Sequence, residues 1–112
     1  MRFEWDETKS LRNLRKHDVR FETAVLVFDD LYALTQRDSA SEQEERWVTI
    51  GSIGPGTVLL VVHTFHETDG EENIRIISAR AAESHERRAY EEAHEGTKTR
   101  HRRNRRKERR GH

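Results

Sequence analysis

Residues 46–66 read RWVTIGSIGPGTVLLVVHTFH, and this stretch decides the fold because two strand patterns flank a turn. Arg46–Ile53 alternates, with Trp47 and Thr49 on one side and the intervening residues on the other. Gly54-Pro55-Gly56 indicates the turn, since glycine adopts positive φ and proline fixes the corner. Thr57–His66 is the second strand, and its apolar centre predicts a strand that is buried on both faces. The stretch therefore predicts a β-hairpin in the middle of a sheet.

Further strands extend this hairpin on both sides. Leu31–Arg37 is predicted as the strand before it, and the acidic segment Asp38–Glu45 is predicted as a loop. Asp69-Gly70, within the segment Glu67–Asn73, marks the next turn. Ile74–Ala79 is predicted as the last strand, with Ile74, Ile76 and Ser78 on one face. The four strands together predict an antiparallel meander.

Helical patterns surround the predicted strands. Phe3-Glu4-Trp5 is either a short strand or an anchoring arm, and Asp6 is a candidate N-cap for a helix over Glu7–His17. On that helix, Leu11 and Leu14 lie on one side, which is predicted to face the core of the protein. A second helix is predicted over residues 20–28, with a strand as the competing prediction because of its β-branched residues. A third spans residues 82–95 and ends at Gly96. The predicted fold class is α+β.

Charge divides the 112-residue chain into two unlike parts. Residues 97–112 contain nine Lys/Arg, one acid and no apolar residue, whereas residues 1–96 carry the other 20 of the 21 acids. We therefore expect one domain over residues 1–96 and a disordered basic tail over residues 97–112. The tail is either a solvated extension or an electrostatic capture site for RNA. A uniformly basic nucleic-acid binder is excluded.

Several function classes are excluded by composition. The chain contains no cysteine, which excludes disulfide scaffolds and thiolate zinc sites. Its longest strongly apolar run, Val58–Val62, is far shorter than the roughly 20 residues of a membrane helix. The N-terminus has no apolar signal-peptide region, so we expect a cytoplasmic protein without a membrane partner.

A series of short motifs makes the chain similar to a known family. In chain order they are Phe3-Glu4-Trp5-Asp6-x-x-Lys9, Asn13-x-x-Lys16-His17-x-Val19-x-Phe21-Glu22-x-Ala24, Val27-Phe28-Asp29-Asp30, Glu45-Arg46-x-x-x-Ile50-Gly51, Val61-Val62-His63-Thr64, Ile74-Arg75-Ile76-Ile77-Ser78-Ala79-Arg80 and Glu86-Arg87-Arg88-x-Tyr90-Glu91. Over about residues 3–92 the chain resembles the BrnT family of bacterial toxins. It departs from that family at Asp18, where glycine is usual, and at Phe65-His66, where an acid and an arginine are common.

The resemblance implies a fold and a function. It implies a RelE-like ribonuclease fold and RNA cleavage without a metal or other cofactor, which inhibits translation. It also implies a BrnA-like ribbon-helix-helix antitoxin as partner, with operator DNA bound only through that antitoxin in autoregulation. Two other hypotheses stay open: a catalytically degenerate toxin-like module that acts only in a repressor complex, and a small RNA-binding protein driven by its tail alone.

Cleavage of RNA without a metal requires a base, an acid and cations around the phosphate. Arginine suits the cationic role because its planar fork binds phosphate oxygens in pairs, and histidine transfers protons near neutral pH. The candidate catalytic residues are Arg80, Arg75, His66 and His17. The candidate substrate-binding residues are Lys9, Lys16, Arg46 and Tyr90.

Each candidate has a structural alternative. Strict alternation puts Arg75 and Arg80 on opposite faces of their strand, and only a bulge or a strand end between them brings both to one phosphate. The alternative for one of these two arginines is a surface ion pair. The alternative for Arg46 is a structural ion pair with an acidic residue. The cations of the first helix otherwise form a solvated face, and Tyr90 otherwise packs in the core. His63 and His66 face opposite ways on one strand, so they form a poor metal pair.

Overall fold

The structure is a computed structural model that describes residues 1–39, 42 and 45–94. In this part of the chain, five strands form one sheet: β1 (Arg2–Glu4), β2 (Leu34–Arg37), β3 (Arg46–Gly54), β4 (Thr57–Thr68) and β5 (Glu71–Ala81). The helices are α1 (Glu7–His17), α2 (Phe21–Ala24), which continues into a 3₁₀ turn over Val25–Asp29, and α3 over residues 84–94. The basic tail predicted over residues 97–112 lies outside the described residues.

The α+β class is confirmed, but the predicted four-stranded meander is incomplete. The strand order is β1-β5-β4-β3-β2, in which β2 to β5 pair antiparallel in sequence order. β1 adds a fifth strand parallel to β5, with Phe3 opposite Ile74. The N-terminal segment is therefore a strand rather than an arm, and the sheet is mixed. β4 lies at its centre, as its apolar pattern predicts.

Both hairpin turns lie where the glycines predict them. Gly56 has a φ of 74°, and Asp69 and Gly70 have φ values of 52° and 79°. Two consecutive residues with positive φ form the tight connection whose twist matches the flanking strands. The strands consequently extend further than predicted, because β4 continues to Thr68 and β5 begins at Glu71.

The sheet buries both of its faces against helices. The α1 face carries the larger core, in which Leu59, Val61, Ile74 and Ile76 pack with Phe21 and Val27 of the α2 region. The α3 face carries a second core of Ile50, Val58, Leu60 and Tyr90. Gly51 allows the α2 region to approach β3 closely, since a Cβ there would lie 3.0 Å from both the Cβ and the carbonyl oxygen of Val27.

The buried side of α1 is polar, which corrects the prediction for this helix. Leu11 is 48% exposed, whereas Ser10 and Asn13 are buried. The Asn13 amide nitrogen donates to the carbonyls of Val19 and Ala79, both at 2.8 Å, and its oxygen accepts from the Ala79 N–H at 3.1 Å. Asn13 thus pairs with the edge of β5 as a neighbouring strand would. Helical periodicity cannot anticipate a polar side chain that completes a sheet edge.

Three other predicted boundaries change. The predicted helix over residues 20–28 is a single α-turn followed by the 3₁₀ turn. The strand predicted from Leu31 begins at Leu34, because the Asp30 carboxylate accepts from the Tyr32 N–H at 3.0 Å and holds a turn there. Helix α3 begins at residue 84 and not at residue 82, and it is described to residue 94. The predicted helix end at Gly96 lies outside the described residues.

Candidate active site

A β-bulge brings Arg75 and Arg80 to the same face of the sheet. Val62 pairs with Ser78 and the next residue, His63, pairs with Ile76, so Ile77 is left without a partner on β4. One extra residue reverses the alternation beyond it. Ile76 and Ala79 are therefore both buried on the α1 face, and Arg75 and Arg80 both lie on the α3 face. The bulge also moves Ser78 to the α3 face, which corrects the predicted grouping of Ser78 with Ile74 and Ile76.

Arg80 lines a cavity on the α3 face of the sheet. This cavity of about 440 Å³ lies between the α3 face, the end of β2 and the first turns of α3. The Arg80 guanidinium donates to both carboxylate oxygens of Glu86, with Nη1–Oε1 at 2.7 Å and Nη2–Oε2 at 2.9 Å. The same carboxylate accepts from the Glu83 backbone N–H at 2.8 Å. Glu86 therefore caps α3 and orients Arg80 at once.

The electrostatics of this pair follow from its hydrogen bonds. The side-chain hydrogen bond from Arg80 holds the pKa of Glu86 below its ordinary value, against the opposing effect of partial burial. The bond to Glu86 likewise raises the pKa of Arg80, which therefore stays charged. A permanently charged guanidinium at the rim of a cavity is suited to bind an anionic group.

A second group of cations follows the α3 face toward the far end of the sheet. Arg46, Thr64 and Arg75 lie side by side on three adjacent strands, because Thr64 pairs with both arginines. The Arg75 guanidinium is 3.9 Å from the carboxylate of Glu4, at the exposed surface. Thr64 and Leu60, the partner of Arg80, are four residues apart on β4, or about 13 Å. The two rows are therefore separate positions along the α3 face.

His66 lies still further from Arg80. It pairs with Asn73, and its Nδ1 is 3.2 Å from the exposed carboxylate of Glu45. Six residues of β4 separate His66 from Leu60, which is about 20 Å. The structure therefore does not bring His66 and Arg80 to one reacting phosphate, although both lie on the α3 face.

The remaining cationic candidates line a separate groove beside the bulge. Lys9, Lys16 and His17 of α1 line it together with Arg12, Asn13, Ile77 and Ser78. Ser78 also lines the cavity that contains Arg80, so the two depressions meet at this residue. The groove with His17 and the two lysines thus adjoins the Arg80 cavity at the edge of β5. These three cations do not line the Arg80 cavity itself.

Tyr90 is buried, which favours the packing alternative. Only 6% of the residue is exposed, and its hydroxyl donates to the Asp30 carboxylate at 2.5 Å. Burial, together with this hydrogen bond, raises the pKa of Tyr90 to about 12. Burial alone would raise the pKa of Asp30, but hydrogen bonds from the Ser52 N–H, the Tyr90 hydroxyl and the Tyr32 N–H outweigh it and lower that pKa. The pair fastens α3 to the turn before β2.

Sequence reasoning missed several residues that line the Arg80 cavity. They are Gln36, Ser39, Ser78, His85 and Glu86. The motif Glu86-Arg87-Arg88-x-Tyr90 pointed to this part of α3 but gave Glu86 no role. His85 precedes that motif and carries no local signal, because a single histidine at the start of a helix has no characteristic spacing.

The part of the chain that the structure describes contains no group of three or more His, Asp or Glu side chains placed to hold a metal ion. Nor does any helix within residues 1–39, 42 and 45–94 have the length and apolar character needed to cross a membrane.

The chain is similar to a family model and to a solved structure. Residues 5–86 match the family model of the ribonuclease toxin BrnT of type II toxin-antitoxin systems. The chain is also similar to the crystal structure of the Brucella abortus ribonuclease toxin BrnT, at 27% identity and a TM-score of 0.57, over 75% of this chain and 99% of that one. No curated protein sequence matches the chain. The RelE-like expectation stays a prediction. With most of its length matched, the chain belongs to the BrnT family of ribonuclease toxins of type II toxin-antitoxin systems.

Proposed function

We propose that this chain is an endoribonuclease that cleaves RNA without a metal cofactor and thereby inhibits translation, with its active site in the Arg80 cavity. One observation carries the proposal: the bulge at Ile77 turns Arg75 and Arg80 to one face of the sheet, and Arg80 lines a cavity there. Two arginines on one open face form a surface that attracts a polyanion.

Arg80 acts on the phosphate in this proposal. Cleavage places extra negative charge on the phosphate oxygens as the RNA 2′-oxygen attacks phosphorus. The outer edge of the Arg80 fork is held by Glu86, so its orientation is fixed before RNA binds. The remaining N–H groups of the guanidinium stabilise the transition state, and this costs little reorganisation because the side chain is already oriented.

The RNA backbone follows the cations on either side of the cavity. In one direction it passes Ser78 and reaches Lys9, Lys16 and His17 in the α1 groove. In the other it reaches the row of Arg46 and Arg75, about 13 Å from Arg80. These positions bind phosphates in succession, so their effect is on affinity. The basic tail over residues 97–112 adds attraction that weakens as salt increases.

The partner in this proposal is a BrnA-like antitoxin with a ribbon-helix-helix domain. Toxin and antitoxin together repress their own operon, and the toxin reaches operator DNA only through the antitoxin. We place the toxin in the cytoplasm. Membership of a type II toxin family supports the existence of a protein antitoxin.

A second function, a catalytically degenerate module within a repressor complex, is favoured by one observation. Arg80 already forms an ion pair with Glu86 of the same chain, as a purely structural arginine would. In that case Arg80 anchors the start of α3, and the chain serves only to bind the antitoxin.

Induction in cells separates the two functions. Expression of the chain alone is expected to slow growth and fragment cellular RNA, and expression together with the neighbouring antitoxin gene is expected to prevent both. Normal growth with intact RNA, at a protein level confirmed by blotting, would support the degenerate module and overturn the ribonuclease proposal.

A further inference from the structure

We infer that His85 is the general base of the reaction, an inference that rests on the proposed ribonuclease function. His85 lies in the first turn of α3 and lines the same cavity as Arg80. A general base must reach the proton that it removes, so it must share a cavity with the residue that binds the phosphate. Among the described histidines, His85 alone lines this cavity.

Glu83 connects His85 to Arg80. One oxygen of the Glu83 carboxylate is 3.6 Å from the Nδ1 atom of His85, and the other is 4.0 Å from Nη1 of Arg80. A carboxylate beside Nδ1 favours the tautomer with its proton on that nitrogen. The Nε2 atom then has a free lone pair that can accept a proton. The same carboxylate stabilises the imidazolium after the proton has been taken up.

The other histidines are less suited to this role. His66 is about 20 Å from the row of Arg80 along β4. His63 is buried on the α1 face, where its Nε2 lies 2.7 Å from the Thr49 hydroxyl. His17 lines the neighbouring groove beyond Ser78. His85 is exposed to solvent and lines the cavity that contains Arg80.

The step balances without a further cofactor. Nε2 of His85 takes the proton of the RNA 2′-hydroxyl, and the 2′-oxygen forms a bond to phosphorus. The bond from phosphorus to the 5′-oxygen breaks, its electron pair stays on that oxygen, and a solvent water molecule supplies a proton to it. The hydroxide left behind takes the proton from His85, so the products are a 2′,3′-cyclic phosphate and a 5′-hydroxyl.

Several charged groups surround His85. Glu83 and Glu86 lie on or next to its own helix, and Arg80 faces it from β5. Arg37 and Asp38 line the opposite wall of the cavity, at the end of β2. A general base that must be neutral to act makes the cleavage rate rise with pH and then level off.

The test compares wild type with His85→Gln, and Glu92→Gln serves as the matched control because it is an exposed change two turns further along α3. Single-turnover cleavage of a labelled single-stranded RNA of mixed sequence is measured from pH 5 to pH 9. Binding of the same sequence with 2′-O-methyl groups is measured by anisotropy. We expect His85→Gln to slow cleavage at pH 7.5 by at least about 100-fold. Its rate should lose the rise with pH, and its binding should stay within about threefold of wild type.

The outcomes separate this inference from the function on which it rests. If wild type and Glu92→Gln both cleave, and His85→Gln cleaves as fast with the same pH profile, His85 is not the base while the ribonuclease stands. The inference is also overturned if His85→Gln loses cleavage only because it no longer binds RNA. If wild type itself leaves the RNA intact, the proposed function fails and the role of His85 fails with it. Circular dichroism confirms that each variant is folded.

Discussion

Substitution of Asn13 by alanine is expected to cost more stability than any exposed polar substitution in this chain. The side chain is buried and makes three hydrogen bonds, two to backbone carbonyls and one from a backbone N–H. Each buried backbone group left without a partner costs about 1–3 kcal/mol, and water that enters the space left by the side chain recovers part of this. We therefore expect a loss of about 3–5 kcal/mol. At about 4–8 °C per kcal/mol for a domain of this size, the melting temperature should fall by at least about 12 °C.

Urea unfolding followed by circular dichroism measures this loss. Asn13→Asp is the informative second variant, because its carboxylate can accept from the Ala79 N–H but cannot donate to the carbonyls of Val19 and Ala79. It should be destabilised to a similar extent. Asn73→Ala is the matched control, since its amide makes a single exposed hydrogen bond to the carbonyl of Glu71. If Asn13→Ala costs no more than Asn73→Ala, Asn13 does not complete the edge of β5 in the way described.

Two further predictions concern pH and backbone conformation. Burial lowers the pKa of His63, and the hydrogen bond to the Thr64 carbonyl opposes this only in part. In the unfolded chain His63 therefore takes up a proton at about pH 6.5, while in the folded chain it stays neutral. The free energy of unfolding should fall below that pH by up to about 1.4 kcal/mol per pH unit, and it should fall less steeply in His63→Gln. Equal slopes for the two proteins in the acid range would contradict this. Asp18 ends α1 with a φ of 60°. Asp18→Gly should raise the free energy of unfolding by about 0.5–1 kcal/mol, because relief of strain outweighs the added freedom of the unfolded chain, and a lower urea midpoint would refute this.

The sequence predicted the elements whose signals are local. The Asp6 carboxylate caps α1 by accepting from the Lys9 N–H at 3.1 Å, and the glycine turns lie where they were expected. Two features depended on distant partners and could not be read from periodicity. The apolar character of Leu11 predicts that it faces the core. The side of α1 that is buried instead carries Asn13, which hydrogen-bonds the backbone of Ala79 in β5. The parallel pairing of β1 with β5 likewise joins residues about 70 positions apart.

The candidate site was predicted in part for the same reason. Arg80 is a predicted catalytic residue because arginine suits the cationic role, and the structure places it at a cavity. Alternation alone put Arg75 on the opposite face, and the unpaired Ile77 reverses this. His66 is one of the predicted catalytic residues and stands where the family commonly has arginine, whereas His85 gives no sequence signal. Which histidine shares a cavity with Arg80 depends on the docking of α3, which no local pattern encodes.

The role of the Arg80 cavity as the active site is tested most directly by the single-turnover rate of RNA cleavage by purified Arg80→Ala relative to wild type. Removal of one preorganised donor from the developing oxyanion typically costs about 10²–10³ in rate. Wild type is expected to cleave single-stranded RNA, and a folded Arg80→Ala protein is expected to cleave it at least about 100-fold more slowly at saturating RNA. Equal rates for the two folded proteins would show that the Arg80 cavity is not the active site.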